Sequence, residues 1–376
     1  MKIISVVGAR PNFMKIAPFC KALSKHPEVQ HVLVHTGQHY DVRMSDSFFV
    51  DLGIPEPDVH LNIGSGSHAE QVGKTMIEFE KVVKAEKPDW IVVVGDVNAT
   101  CACSIVAKKE HVKLAHIEAG LRSGDIDMPE EVNRLVTDRL ADLLLTPDRI
   151  ANANLKDEGV ADERIAFVGN IMIDTLEAQR AKAEKRSIAE IVKRDLLLAD
   201  TPVPALPDNE FVVMTMHRPS NVDQIETLKP LIDFLVNEVS RDLPLLWPIH
   251  PRARKQLEMF GLWDRVAANV ILLNPLGYHD MLRLNMGARL MLTDSGGLQE
   301  ECCVLGTPCL TLRWNTERPV TLKEHGGASQ LVGNDVARIR AAYHNVLNSE
   351  CKPQRPELWD GHAAERIVQA ILIYGK

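Results

Sequence analysis

No apolar run in the chain approaches the ~20 consecutive residues of a membrane-spanning helix, so no membrane partner is expected. A basic excess is also missing: 43 Lys and Arg against 51 Asp and Glu leave a net charge of −8. That balance argues against a protein held mainly by nucleic-acid phosphates or an anionic membrane surface, while leaving room for a local basic pocket. The seven cysteines include no CxxC pair of metal-ligand type; Cys101, Cys103, Cys302 and Cys303 fall in apolar, helix-like stretches. They read as buried thiols of a reducing cytoplasm. No short-range metal-ligand motif occurs, and no GxGxxG follows a strand, so neither a metal nor a nicotinamide cofactor is expected. The opening MKIISVVGARPNF has no signal-type cleavage region, and a cytoplasmic location is expected. Repeats at solenoid spacing and low-complexity tracts are absent as well.

What remains is ordinary globular composition, 45% apolar and 25% charged, in a chain of 376 residues, long enough for two cores. Short β-branched runs at 3–7, 32–35, 90–94, 113–117, 143–145 and 165–168 read as buried strands, with helical periodicity between them, as at 13–23 and 70–84. The alternation predicts a parallel, doubly wound sheet. A charged helical stretch followed by TPVPALPDN breaks the rhythm, which restarts with strands at 211–215, 245–249, 270–273, 290–292 and 309–312. The expected fold is therefore α/β, two Rossmann-like domains facing a cleft. Residues 1–175 form the first, 176–208 a linker and hinge region, and 209–355 the second. A final helical stretch, 356–376, is placed on its own or back against the first domain.

Ligands of open parallel sheets bind beyond the carboxyl ends of the strands, and the chain's unusual residues gather there. Gly8-Ala9-Arg10-Pro11 follows the first strand, with Lys15 one turn into the next helix; Arg10 and Lys15 together suit a diphosphate. Asp96 ends one strand, and Glu118 ends the next. Glu130 follows Pro129 in a helix's first turn, and His217 ends the first strand of the second half. These four are candidate acids and bases, although Asp96 as a helix cap, Glu130 as a dipole partner and His217 as a structural ring are plainer roles. Ser295-Gly296-Gly297 offers a hydroxyl and backbone N–H groups at a helix N-terminus, where phosphate is favoured. Glu301, inside that helix, suits the two hydroxyls of a ribose.

Taken in order, GARPNFMKIAP, TGQHYD, GDVNAT, HIEAGLRS, PEEVNR, VGNIMID, MTMHRPSN, LTDSGGLQEE and TERP resemble the non-hydrolysing UDP-N-acetylglucosamine 2-epimerases over nearly the whole chain. The resemblance implies a GT-B-like fold, a UDP-sugar substrate and a homodimer. It implies catalysis by Asp96, Glu118, Glu130 and His217. It also implies UDP contacts from Arg10, Lys15, the 295–297 segment, Glu301 and Arg318, with Leu276 and Met281 near the base. Two departures stand out: Pro219-Ser220 where many members have Arg-Glu, and Val320 where many have Glu after TERP. Some members carry a second, activating substrate site. Of its residues Gln38 and His39 are kept here, but Ser67-His68 and Pro219 replace those that carry its arginines, so substrate activation is not expected.

The chemistry suits these groups. Carbon 2 of such a sugar has no adjacent carbonyl to acidify its hydrogen, which leaves expulsion of UDP with proton removal, through a 2-acetamidoglucal. That path needs cations for the departing diphosphate and acid/base groups for carbon 2. A GT-B glycosyltransferase and a nucleotide-sugar sensor without turnover are the alternatives; four titratable groups argue against the sensor.

Overall fold

The structure is a computed structural model and describes residues 1–8, 10–37, 53, 56–348 and 354–375, with Arg10 and Pro11 by backbone alone. Two compact units result: Met1–Ala178 together with Glu357–Lys376, and Gln179–Pro356.

The first unit is built on strands β1 (Lys2–Val7), β2 (Gln30–His35), β3 (Val59–His60), β4 (Trp90–Val94), β5 (Lys113–Ile117), β6 (Leu143–Thr146) and β7 (Ile165–Phe167), in the order β3-β2-β1-β4-β5-β6-β7. Every pairing is parallel. β4, WIVVV, is buried at every position, as a strand covered by helices on both faces must be. Alternate residues Ile4, Val6, Ile91 and Val93 share one core with Phe79 and Val106 from the helices His68–Glu86 and Asn98–Lys109.

The second unit repeats the plan with β8 (Val212–Thr215), β9 (Leu245–Pro248), β10 (Ile271–Leu273), β11 (Leu290–Thr293), β12 (Cys309–Thr311) and β13 (Ser329–Leu331), ordered β10-β9-β8-β11-β12-β13. Val212, Met214, Trp247 and Leu292 face one core, and Val213, Leu246, Leu273 and Met291 the other. In each sheet the order reverses about the first strand, so the turns after β1 and β4, and after β8 and β11, flank a crevice at the carboxyl ends. That position is where the polar sequence clusters fall. The short edge strands β3 and β13, VH and SQL, have no β-branched run and were not legible in the sequence.

The stretch 176–208 holds the end of the helix Ile171–Glu184 and all of Ile188–Asp195. Ile188 and Val192 are buried with Phe211 and Val213 in the second unit, and Leu197 N donates to Leu272 O at 2.9 Å, against edge strand β10. The six cysteines described are free and buried, and no helix among the described residues is long and apolar enough to cross a membrane.

The C-terminal segment completes the first unit. Trp359 is 1% exposed, and its Nε1 donates to Pro147 O at 2.9 Å. Asp174 accepts from the N–H groups of Ala363 and Ala364 at 3.0 and 2.8 Å, capping the helix Ala363–Tyr374, whose Ile367, Val368 and Ile371 are buried. Trp359→Ala is expected to destabilise this unit by about 3–5 kcal/mol, the range for a buried Trp truncated to Ala. Urea unfolding followed by far-ultraviolet circular dichroism measures it. A loss within ~0.5 kcal/mol, typical of surface substitutions, would make the segment an accessory.

Candidate active site

In the first unit the site is assembled by turns that only particular backbones can make. Gly95, after β4, has φ +69°. A Cβ there would lie 3.3 Å from Asn12 Nδ2, 3.3 Å from Lys15 Nζ and 3.5 Å from Glu118 Oε2. Glycine is needed for the left-handed turn and for the charges that meet over it. Asn12 staples the loop after β1 to this turn, accepting from Gly8 N at 3.2 Å and donating to Val94 O at 3.0 Å.

Lys15, 6% exposed, donates to the carboxylate of Glu118, which is 4% exposed. A buried pair of this kind persists because either charge alone would be costly. Asp96 is more open, its side chain 26% exposed, and one oxygen, Oδ2, receives both Nε and Nη2 of Arg134 at 3.0 and 2.7 Å. Arg134 also contacts Glu131, which accepts from Ser123 N (3.0 Å) and Gly124 N (3.0 Å). Glu130 sits exposed in the first turn of the helix Pro129–Leu140, behind Pro129 at its start. Its neighbour Glu131 is the buried one. Glu131, Arg134 and Asp138, spaced i, i+3 and i+7, turn a charged row inward. An apolar row is what a helix covering a sheet normally supplies, so that charge pattern was a signal the sequence reading passed over. Arg10 opens the helix Arg10–Leu23; its side chain, with Gln38 and His39, lies outside the described residues.

In the second unit His217 and Asp294 leave neighbouring strands, β8 and β11. His217 Nδ1 lies 2.7 Å from Asp294 Oδ1, with the histidine side chain 42% exposed and the aspartate fully buried. Asp294 Oδ2 accepts from His217 N (2.9 Å), Arg218 N (2.8 Å) and Asn221 Nδ2 (3.1 Å). Burial acts most strongly on this carboxyl and pushes its pKa up. The His217 ring, with the backbone N–H groups of Arg218 and His217, outweighs it and leaves the pKa below the ordinary value. An aspartate that holds one ring nitrogen orients the imidazole and leaves Nε2 for proton transfer. Asp294 was missed in the sequence, where it reads as a turn residue before Ser-Gly-Gly.

The helix Gly296–Leu305 begins at Ser295, whose hydroxyl makes no capping bond, so its first-turn N–H groups are open to an anion. The two glycines differ. A Cβ on Gly296 would stand 2.9 Å from Glu317 Oε1 and 3.1 Å from Arg318 Nη1, whereas one on Gly297 would meet nothing within 4 Å. Gly296 thus makes room for a buried ion cluster. In it Arg318 Nε lies 2.7 Å from Glu300, Arg318 also contacts Glu317, and Arg313 Nη2 donates to Glu317 at 2.8 Å. Glu301 lies beside Tyr278 and Asn285, and burial, reinforced by the charge of Glu300, pushes its pKa up to about 7 against the opposing Tyr278 and Asn285. Leu276 and Met281 pack against the core that contains Leu273 and Leu284. Among the described residues no group of three or more His, Cys, Asp or Glu could hold a metal ion.

Two parallel sheets of Rossmann order, with ionisable groups at both switch points, place the chain in the GT-B-like class of α/β proteins. Its sequence matches the profile of the family described as UDP-N-acetylglucosamine 2-epimerase over residues 21–372. The chain is 41% identical over 380 residues to the UDP-N-acetylglucosamine 2-epimerase of Methanocaldococcus jannaschii, covering 100% of both chains. The UDP-2,3-diacetamido-2,3-dideoxy-D-glucuronate 2-epimerase of Pseudomonas aeruginosa is 37% identical over 376 residues, covering 98% of this chain and 99% of that one. The crystal structure of the M. jannaschii UDP-GlcNAc 2-epimerase in complex with UDP-GlcNAc and UDP superimposes with a TM-score of 0.88 at 40% identity, over 100% of each chain. The chain belongs to the UDP-N-acetylglucosamine 2-epimerase family.

The raised pKa of Glu301 has a signed consequence for stability. The folded protein keeps this proton up to about pH 7, while the unfolded chain releases it near 4.5. Stability is therefore undiminished below 4.5 and falls as pH rises to 7, by about 3 kcal/mol in total at 1.36 kcal/mol per unit. Glu301→Gln removes the penalty, so the ligand-free variant should be more stable than wild type at pH 8 and equally stable near pH 4.5. Thermal unfolding of both proteins across that range tests it; an offset independent of pH would contradict the assignment.

Proposed function

We propose that the protein interconverts UDP-N-acetylglucosamine and UDP-N-acetylmannosamine by elimination and re-addition of UDP. A base takes the proton from carbon 2, and the C–H electron pair becomes the C1–C2 double bond. The C1–O bond breaks with its electrons on the UDP oxygen, giving 2-acetamidoglucal. A proton then returns to the opposite face of carbon 2, and UDP re-adds at carbon 1. Asp96, Glu118, Glu130 and His217 carry the proton transfers. Arg10, Lys15, the hydroxyl of Ser295, the N–H groups of Gly296 and Gly297, and Arg318 stabilise the diphosphate. Glu301 holds the ribose, and Leu276 and Met281 border the base. The domain roles follow: the second unit takes the UDP moiety, and the first supplies the carboxylates. The same reading puts the enzyme in the cytoplasm as a homodimer.

One arrangement supports the reading above all: carboxylates at the ends of neighbouring strands β4 and β5, each against its own cation, Arg134 for Asp96 and Lys15 for Glu118. Two carboxylates and two cations thus meet where the proton transfers and the departing diphosphate both need them. Incubation with UDP-N-acetylglucosamine alone should yield the manno epimer in the presence of EDTA and without NAD. Reaction in heavy water should put deuterium at carbon 2, with traces of free UDP and glucal. Asp96→Asn, Glu118→Gln and His217→Asn should each lower kcat by ~10²–10⁴-fold, and Lys15→Ala should weaken UDP binding as well. Full retention of the substrate hydrogen refutes elimination. Turnover only with an acceptor indicates a glycosyltransferase, and turnover only of a UDP-diacetamido-glucuronate moves the substrate to that of the P. aeruginosa relative.

Substrate activation is not part of this reading. Ser67 is spent on the capping box of the helix His68–Glu86, accepting from Glu70 N at 3.3 Å while Ser67 N donates back to Glu70 at 2.9 Å. His68 Nδ1 lies 3.1 Å from Asn98 Nδ2, and Pro219 opens a single helical turn. Two missing guanidinium groups, at roughly 1.5–3 kcal/mol per charged hydrogen bond, would weaken a second diphosphate site by a hundredfold or more. Pure UDP-N-acetylmannosamine should accordingly turn over hyperbolically from time zero. A lag removed by trace UDP-N-acetylglucosamine would show that the second site survives.

A further inference from the structure

Beneath the two carboxylate-bearing turns of the first unit runs a row of ionisable side chains, buried at His116 and Asp138 and reaching the surface at Glu158, to which the proposed reaction gives no role. His116, the fourth residue of β5, is 0% exposed. Its Nε2 lies 2.9 Å from Gly95 O, and its Nδ1 lies 2.6 Å from Asp138 Oδ1. A carbonyl oxygen only accepts, so Nε2 bears a hydrogen. The other oxygen of Asp138 accepts from Gly120 N at 2.9 Å and Arg122 Nη1 at 2.7 Å, contacts that favour an ionised carboxylate. The two ring nitrogens thus tie the Gly95 carbonyl to the Asp138 carboxylate. Arg122 in turn forks onto Glu158, with Nε and Nη2 at 2.7 Å from its two oxygens. The row His116, Asp138, Arg122, Glu158 alternates basic and acidic side chains.

Its attachments are specific. The His116 ring holds the carbonyl of Gly95, the residue before Asp96. Asp138 holds the N–H of Gly120, two residues after Glu118. Both turns are left-handed, with φ +69° at Gly95, +72° at Glu118 and +80° at Gly120. For Glu118 that conformation costs of order 1–3 kcal/mol and persists only where surrounding contacts enforce it. One buried hydrogen-bonded pair therefore holds the backbone on which both carboxylates stand.

We infer that the buried His116–Asp138 pair positions Asp96 and Glu118 for proton transfer, touching neither substrate nor product. This rests on the proposed epimerase reaction and adds two positioning residues to it. A pair that only stabilised the fold would lower the amount of folded enzyme and leave the turnover of each folded molecule intact.

The experiment uses the full chain with His116→Gln and Asp138→Asn, each also combined with Asp96→Asn and with Glu118→Gln. Expected for each single variant is a fall in kcat of about 10²-fold, the scale of a misplacement of about 1 Å at a reacting centre, with KM and calorimetric UDP affinity unchanged. On the Asp96→Asn and Glu118→Gln backgrounds the same changes should cost little more, because the groups they position are already gone. Wild-type kcat in the single variants, fully additive losses, or UDP affinity falling in step with kcat overturns the inference. Should the variants fail to fold, wild-type enzyme labelled with ¹⁵N-histidine still decides. The His116 Nε2 must carry the hydrogen it gives to Gly95 O, and a bare Nε2 overturns the pairing. If wild-type enzyme does not convert UDP-N-acetylglucosamine at all, the proposed function fails. An active wild type with unimpaired His116→Gln refutes only the positioning role.

Discussion

A charge taken out of water at the end of a parallel sheet survives only against an opposite charge, and this constraint governs both units. Burying a lone carboxylate or ammonium costs several kcal/mol even after relaxation. Among the described residues, the ionisable groups at the carboxyl ends are largely paired: Lys15 with Glu118, Arg134 with Asp96 and Glu131, His217 with Asp294, Arg318 with Glu300 and Glu317. Glu301 is the informative case. Burial, with another carboxylate next to it in sequence, pushes its pKa up to about 7.

The same pairing shapes what the residues can do in the proposed reaction. Asp96 receives both Arg134 contacts on one oxygen and is a quarter exposed, whereas Glu118 is buried against Lys15. The two carboxylates thus differ in access, one open to solvent on one side and the other enclosed. His217 is prepared differently again. Its Nδ1 is held by a wholly buried aspartate, which leaves the other nitrogen on an exposed ring.

Helix Pro129–Leu140 shows how scaffold and chemistry merge. Its inward row fastens the loop at 123–124 through Glu131, orients Asp96 through Arg134 and ties the turn after β5 through Asp138. A helix that spends its buried face on charges forgoes apolar burial of roughly 25 cal/mol per Å². Functional sites are where such a local departure from core packing is expected.

Most of the architecture was legible along the chain. The limits of β4 coincide with its apolar run, because a strand buried on both faces is normally apolar at every position, whereas β5, KLAHI, departs from that rule at its exposed first residue and at His116. The polar clusters announced the carboxyl ends, since turns after buried strands have little other reason to hold Arg, Lys, Asp and Glu together. Sequence alone could not show that burial raises the pKa of Glu301, that Asp294 grips His217, or that Gly296 yields its space to Glu317 and Arg318. Nor could it tell Glu130 from Glu131, two adjacent carboxylates of which one is exposed and the other buried beneath Arg134. Strand and helix periodicity is local and is written in neighbouring residues. Pairing and pKa depend on distances between groups 77 or 103 positions apart, as His217 is from Asp294 and Lys15 from Glu118, and only the closed fold sets those.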